Sequence, residues 1–170
     1  TTHCDLLLRA RELGVPTNVV HNASVMNAIG ACGLSLYRYG ETVSIPFFSP
    51  GWRPTSFYDK LVANRARGLH TLALVDIKVK EPTMQSLARG RPEYLPPRFM
   101  TVRQAVLQLL EVAESRDAAA EPGQLSRESR AIGVARLGAS DQLQVAGTLA
   151  ELAVVDFGPP LHSLVLLGEM

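Results

Sequence analysis

The chain has 170 residues, and its 17 basic and 16 acidic side chains leave a formal net charge of +1. No broad electrostatic field therefore argues for nucleic acid or an anionic membrane, and no apolar stretch nears the roughly 20 residues a membrane-spanning helix needs. The apolar and charged fractions are those of an ordinary globular protein, and the length allows one substantial core, or one domain with a remnant of another.

Residues His3 to Leu13 place Leu6, Leu7, Ala10 and Leu13 at helical spacing, and Gly14 supplies a helix stop. The apolar run that follows, opened by Pro16, reads as a short buried strand over Thr17–His21. Asn22 or Ser24 then caps a helix expected over Ser24–Arg38. A polar turn between a buried strand and a helix N-terminus is where α/β proteins place small ligands, because backbone N–H groups point outward beside the sheet edge. Gly40 turns the chain into a β-rich run, Thr42–Phe48, closed by the turn signal Ser49-Pro50-Gly51.

Phe57–Arg67 carries Phe57, Leu61 and Val62 on one helical face and stops at Gly68. Leu69–Val79 is the strongest strand candidate, apolar from Leu72 to Ile77. Pro82-Thr83 opens a short helix through Ala88, closed by Gly90, and Pro92, Pro96 and Pro97 impose an extended loop after it. Thr101 caps an amphipathic helix, Val102–Glu114. Arg116–Arg130 has almost no bulky apolar side chains and reads as a mobile surface loop. Ala131–Leu137 and Leu161–Leu167 are expected strands, with a mixed stretch, Gln142–Leu152, between them. Strands alternating with helices argue an α/β architecture.

Cys4 and Cys32 stand far apart in no metal-ligand spacing, and read as reduced core thiols of a cytosolic protein. No metal site is expected, since His21 and His70 have no paired ligand nearby. Gly30 and Gly33 fall inside an expected helix and make no dinucleotide-binding fingerprint. No Ser-His-Asp or Cys-His arrangement has motif context, which weakens a hydrolase reading.

His21-Asn22-Ala23-Ser24-Val25-Met26-Asn27 together with Gly40-Glu41-Thr42-Val43-Ser44-Ile45-Pro46-Phe47-Phe48 is more specific than either segment alone. Further ordered matches are Trp52-Arg53-Pro54, His70–Glu81, Pro96–Thr101, Gly133–Gly138, Ala146–Leu149 and Gly158–Leu164. The whole chain resembles the diphthine synthase family, S-adenosylmethionine-dependent methyltransferases of tetrapyrrole-methylase-like fold. The glycine-rich turn and the Gly-Asp-Pro turn that open family members have no counterpart here. On this resemblance the chain is the later part of a longer enzyme. Residues 1–40 form the tail of an N-terminal cofactor and substrate domain, and residues 41–170 a mixed-sheet C-terminal α/β domain.

The resemblance also selects the site. It implies that Ser24, Val25, Val75, Leu137 and His162 contact the adenosyl cofactor; the residues alone favour a cap for Ser24, core for Val25 and Val75, and a structural role for His162. Replacing His162 is accordingly expected to weaken cofactor binding with little loss of stability. No general base is assigned. Arg53, Arg65, Arg67, Arg98, Lys78 and Lys80 are mostly solvated charge, with Asp76 and Glu81 as ion-pair partners on the same surface.

The activity implied is methyl transfer to the modified histidine of translation elongation factor 2, on its amino nitrogen and, in the eukaryotic branch the sequence leans toward, also on its carboxylate. A homodimer and a cytoplasmic location are further implications. Two other readings stand beside it. One is a non-catalytic fragment serving only as a folded interaction or dimerisation domain; the other is a methylase of the same fold acting on tetrapyrroles.

Overall fold

The computed structural model describes residues 2–19, 24–83, 93–116 and 123–170. Helix α1 (Thr2–Glu12) ends where the sequence places its stop. Gly14, at φ 66°, donates to the Arg11 carbonyl at 3.2 Å, and Val15 donates to Ala10 at 2.8 Å, the paired bonds of a left-handed C-terminal cap. Its leucines do not make an inward face: Leu6, Leu7, Leu8 and Leu13 are exposed. Thr17–Val19, the described part of the expected first strand, has no regular structure.

The helix expected over Ser24–Arg38 is broken into three pieces. Helix α2 (Val25–Ala28) passes into a 3-10 turn (Ile29–Cys32), which stops at Gly33 with φ 76°, and a second 3-10 turn spans Leu36–Arg38. The chain then enters β1 (Val43–Ile45), the Ser49–Trp52 turn with Gly51 at φ 79°, α3 (Ser56–Ala66), β2 (Thr71–Val75) and β3 (Ile77–Lys78). The single strand expected over Leu69–Val79 is thus two, divided at Asp76. The expected helix after Pro82-Thr83 lies almost wholly outside the described residues. Then come β4 (Arg98–Phe99), α4 (Val102–Ser115), β5 (Arg130–Ala135), β6 (Leu143–Thr148), α5 (Leu149–Leu152) and β7 (His162–Leu166).

The main sheet has the order β1-β2-β7-β5-β6, with β1 parallel to β2 and every other pair antiparallel. Strand alternation sends its side chains to two faces. One face carries Ile45, Ala73, Val75, Leu164 and Leu166 onto α3 and α4, where Tyr58, Leu61, Val106 and Leu109 are fully buried. The other carries Leu72, Val165, Ile132 and Val134 toward Ile29, with Val25, Leu34 and Tyr39 packed around them. Gly133 has no substitute on β5, because a Cβ there would fall 2.2 Å from the Phe157 ring.

Asn64 knits the start of β1 to α3 and β2. Its side-chain amide donates to the Glu41 carbonyl at 2.8 Å and to the Thr71 hydroxyl at 3.0 Å, and its oxygen accepts from the Glu41 N–H at 3.1 Å. The stretch read as a mobile loop is packed in its described second half. Leu125 is buried and its N–H donates to the Tyr58 hydroxyl at 3.1 Å, while Gly123 lies against the backbone of Val62 and Ala66. No disulfide joins Cys32 to Cys4, which sits exposed on α1 rather than in a core. Among the described residues, no helix is long and apolar enough to cross a membrane.

Candidate functional site

Because β7 runs antiparallel to both β2 and β5, the ends of β1, β2 and β5 and the start of β7 meet at one edge of the sheet. A cavity of about 1040 Å³ opens there. Residues 24, 25 and 28 form one wall, residues 44–46 and 74–77 a second, and residues 134, 136–138 and 160–163 the third. All five residues singled out in the sequence, Ser24, Val25, Val75, Leu137 and His162, line this single cavity.

They reach it in different ways. Ser24 adopts an extended conformation and its hydroxyl accepts from the Met26 N–H at 3.2 Å, so it caps α2 at the cavity mouth. Val25 and Leu137 pack against the apolar cluster on the cavity's face of the sheet. Val75 sends its side chain into the opposite core, so the end of its strand offers backbone to the cavity.

His162 is held on both sides of its ring. Nδ1 accepts from the buried Val102 N–H at 3.3 Å, which places the proton on Nε2, and Nε2 then donates to the carbonyls of Gly158 at 3.2 Å and Pro159 at 3.1 Å. Phe157 packs on the ring, with centroids 5.9 Å apart. With both nitrogens engaged, the imidazole shapes the cavity wall and has no lone pair left for a ligand.

Two charged residues complete the lining. Arg136, a non-glycine residue at φ 51°, donates to the carbonyls of Phe157 (2.7 Å), Pro159 and Asp141 (2.9 Å), pairs with the Asp141 carboxylate at 2.7 Å, and donates its own N–H to Leu161. It ties both arms of the third wall together. Nothing in the sequence separates this arginine from the others. Asp76 accepts the Phe47 N–H at Oδ2 (3.0 Å), and its carbonyl accepts from Met100. Its signal was visible as an acid interrupting an apolar strand. Gln108 of α4 fixes the neighbouring wall by donating to the Pro46 carbonyl at 2.7 Å and accepting from Phe48.

Several of the cations read as solvated charge are bonded within the chain. Arg53 pairs with Glu111 and Arg98 with Glu81, while Arg65 donates to the Gln124 carbonyl (2.8 Å) and the Ser129 hydroxyl. Burial pulls the Arg65 pKa down, with Tyr58 opposing. Asp76 with Lys78, and Glu81 with Arg98, are the ion pairs expected of these two acids.

A cavity of this size, mostly apolar and carrying a few placed polar groups, suits a nucleoside-sized ligand. The mixed five-stranded sheet with its edge cavity is of the tetrapyrrole-methylase-like α/β class. No family model matches the sequence. Diphthine methyl ester synthase of Mus musculus is 55% identical over 168 residues, covering 99% of this chain and 60% of that protein. A crystal structure from Entamoeba histolytica assigned to diphthine synthase superimposes with a TM-score of 0.81 at 41% identity, over 99% of this chain and 60% of that one. A second diphthine synthase structure gives a TM-score of 0.70 at 28% identity, over 98% of this chain and 54% of the other.

The chain belongs to the diphthine synthase family, and it spans about 60% of the length of the curated relatives it matches.

Proposed function

We propose that the protein carrying this chain is an S-adenosylmethionine-dependent methyltransferase of diphthamide formation, acting on the modified histidine of translation elongation factor 2. The observation that carries this reading is the convergence of Ser24, Val25, Val75, Leu137 and His162 on one cavity at the sheet edge. S-adenosylmethionine, when bound, supplies an activated methyl group with a good leaving group. In this reading Val25 and Leu137 pack the cofactor's apolar surface, Ser24 and the ends of β2 and β7 offer polar backbone and hydroxyl groups, and Arg136 and His162 hold the walls at fixed separation. What remains for the protein is to hold an amine or carboxylate lone pair in line with that methyl and to exclude water, which contributes several kcal/mol without a nucleophilic side chain. This accounts for a site without a catalytic triad.

The same reading makes residues 1–40 the tail of a first domain and 41–170 the C-terminal domain. The exposed leucines of α1 support that division. The location is cytoplasmic and the assembly a homodimer. The match to diphthine methyl ester synthases favours this substrate over a tetrapyrrole, and favours an enzyme over a purely interacting fragment. The test is transfer of a labelled methyl group from S-adenosylmethionine to elongation factor 2 bearing the unmethylated modified histidine. Label on that residue, and its presence as an alkali-labile ester, supports both parts of the reading. Label on a precorrin and none on elongation factor 2 overturns it.

A further inference from the structure

We propose that Asp76 forms a cation subsite in this cavity, where its carboxylate receives a positively charged centre of a bound ligand: the methylsulfonium of the cofactor or the ammonium nitrogen of the methyl acceptor. The inference rests on the cofactor reading given above. Among the described residues, only two side chains with a permanent charge line the cavity, Asp76 and Arg136. Arg136 spends its guanidinium on Phe157, Pro159 and Asp141 and offers nothing to a ligand. The two partners of Asp76 both use one oxygen. Oδ2 takes the Phe47 N–H at 3.0 Å and stands 3.5 Å from Lys78 Nζ, which leaves Oδ1 without a partner among the described residues.

The surroundings make that oxygen selective. Val25, Val134 and Leu137 border the same cavity, and an apolar wall strengthens a charge interaction relative to water. Lys78 lies outside the lining, with a side chain 39% exposed, so it neutralises the carboxylate only in part and from the solvent side. A neutral thioether gains nothing from a carboxylate beside it. A sulfonium or a protonated amine gains a direct attraction.

Calorimetric titration of three ligands into the complete protein that carries this chain, and into its Asp76→Asn variant, tests this. The ligands are S-adenosylhomocysteine, with neutral sulfur; S-adenosylmethionine, with a sulfonium; and sinefungin, with an amine-bearing carbon in place of the methylsulfonium. The unsubstituted protein is expected to favour a cationic ligand over S-adenosylhomocysteine by about tenfold. D76N keeps an acceptor for the Phe47 N–H, so it should retain its melting temperature and its S-adenosylhomocysteine affinity while losing that preference. Tightening by both cations identifies the sulfonium as the source, and tightening by sinefungin alone identifies the acceptor's nitrogen. Lys78→Met, which leaves the cavity lining intact, should widen the preference. Equal affinity for all three ligands, or a preference that survives in D76N, overturns the subsite and leaves the cofactor reading standing. Failure of S-adenosylhomocysteine to bind the complete protein that carries this chain overturns the cofactor reading and this inference with it.

Discussion

The main-chain N–H of Val102 donates to Nδ1 of His162 at 3.3 Å, across 60 residues of sequence. Val102 opens α4 and is fully buried, so its N–H is one of the helix's orphan donors with no water to turn to. Thr101 and Gln104 satisfy two others through a reciprocal capping box, and the imidazole takes this one. The histidine therefore fastens a helix on one face of the sheet to the loop that walls the cavity.

That bond reverses the expectation that His162 can be removed at little cost to stability. His162→Ala leaves a buried donor unpaired and is expected to cost about 1–3 kcal/mol. Urea unfolding measures it directly. A change below about 0.5 kcal/mol, the range of ordinary surface substitutions, would contradict the role assigned here.

Arg136 acts on the same wall from the other side. Arg136→Met keeps most of the aliphatic stem but drops the bonds to Phe157, Pro159 and Asp141. Affinity for S-adenosylhomocysteine is expected to fall by about tenfold as residues 137–138 and 159–161 lose their tie, since a misplaced wall costs binding through lost preorganisation. Unchanged affinity in calorimetry would show that the wall holds its shape without the arginine.

His70 gives the fold a pH dependence. It is buried, its Nδ1 accepts from the Gly168 N–H at 3.0 Å, and its ring meets Tyr39 edge-on. Burial, and then the Arg38 guanidinium, pull its pKa below the ordinary value of 6.5. The folded state thus prefers the neutral ring. Its contribution is fully present above the unfolded pKa and is lost as pH falls through 6.5 toward the depressed folded value. The melting temperature should drop between pH 7.5 and 5.5 by more in the unsubstituted chain than in His70→Asn, which retains an acceptor for Gly168. Equal drops would contradict this.

Leu125 tests the packing of the segment read as a mobile loop. It is 5% exposed, inside the core that Tyr58 and α4 share. Leu125→Ala is expected to destabilise by about 2–5 kcal/mol, as for other buried leucines. A chemical-denaturation midpoint that does not move would restore the loop reading.

These corrections share a cause. Helix α4 was legible because its signals are local: a Thr-x-x-Gln box followed by an apolar stripe. The break between β2 and β3 was not, because Asp76 bonds to Phe47 and Met100, residues 29 and 24 positions away. Leu125 looked solitary among polar neighbours because the surface it packs on belongs to α3 and α4. Gly33 lay in plain view, yet nothing local distinguished a glycine at φ 76° from one tolerated inside a helix.

The site divides in the same way. Ser24 has its own signal as a helix cap. Val75 and Leu137 are marked by the family resemblance alone, since backbone at a strand end leaves no mark on the side chain. Arg136 has no local side-chain signal for its role in the wall, because the Phe157 and Pro159 carbonyls it holds lie 21 and 23 residues further along the chain.

The most direct test of the account is calorimetric titration of S-adenosylhomocysteine into the complete protein that carries this chain and into its Leu137→Trp variant, whose larger side chain intrudes into the cavity. The account predicts one binding site per chain, and loss of binding in the variant at unchanged secondary structure. No binding by the unsubstituted protein, or equal affinity in the two, would show that the cavity at the sheet edge is not the cofactor site.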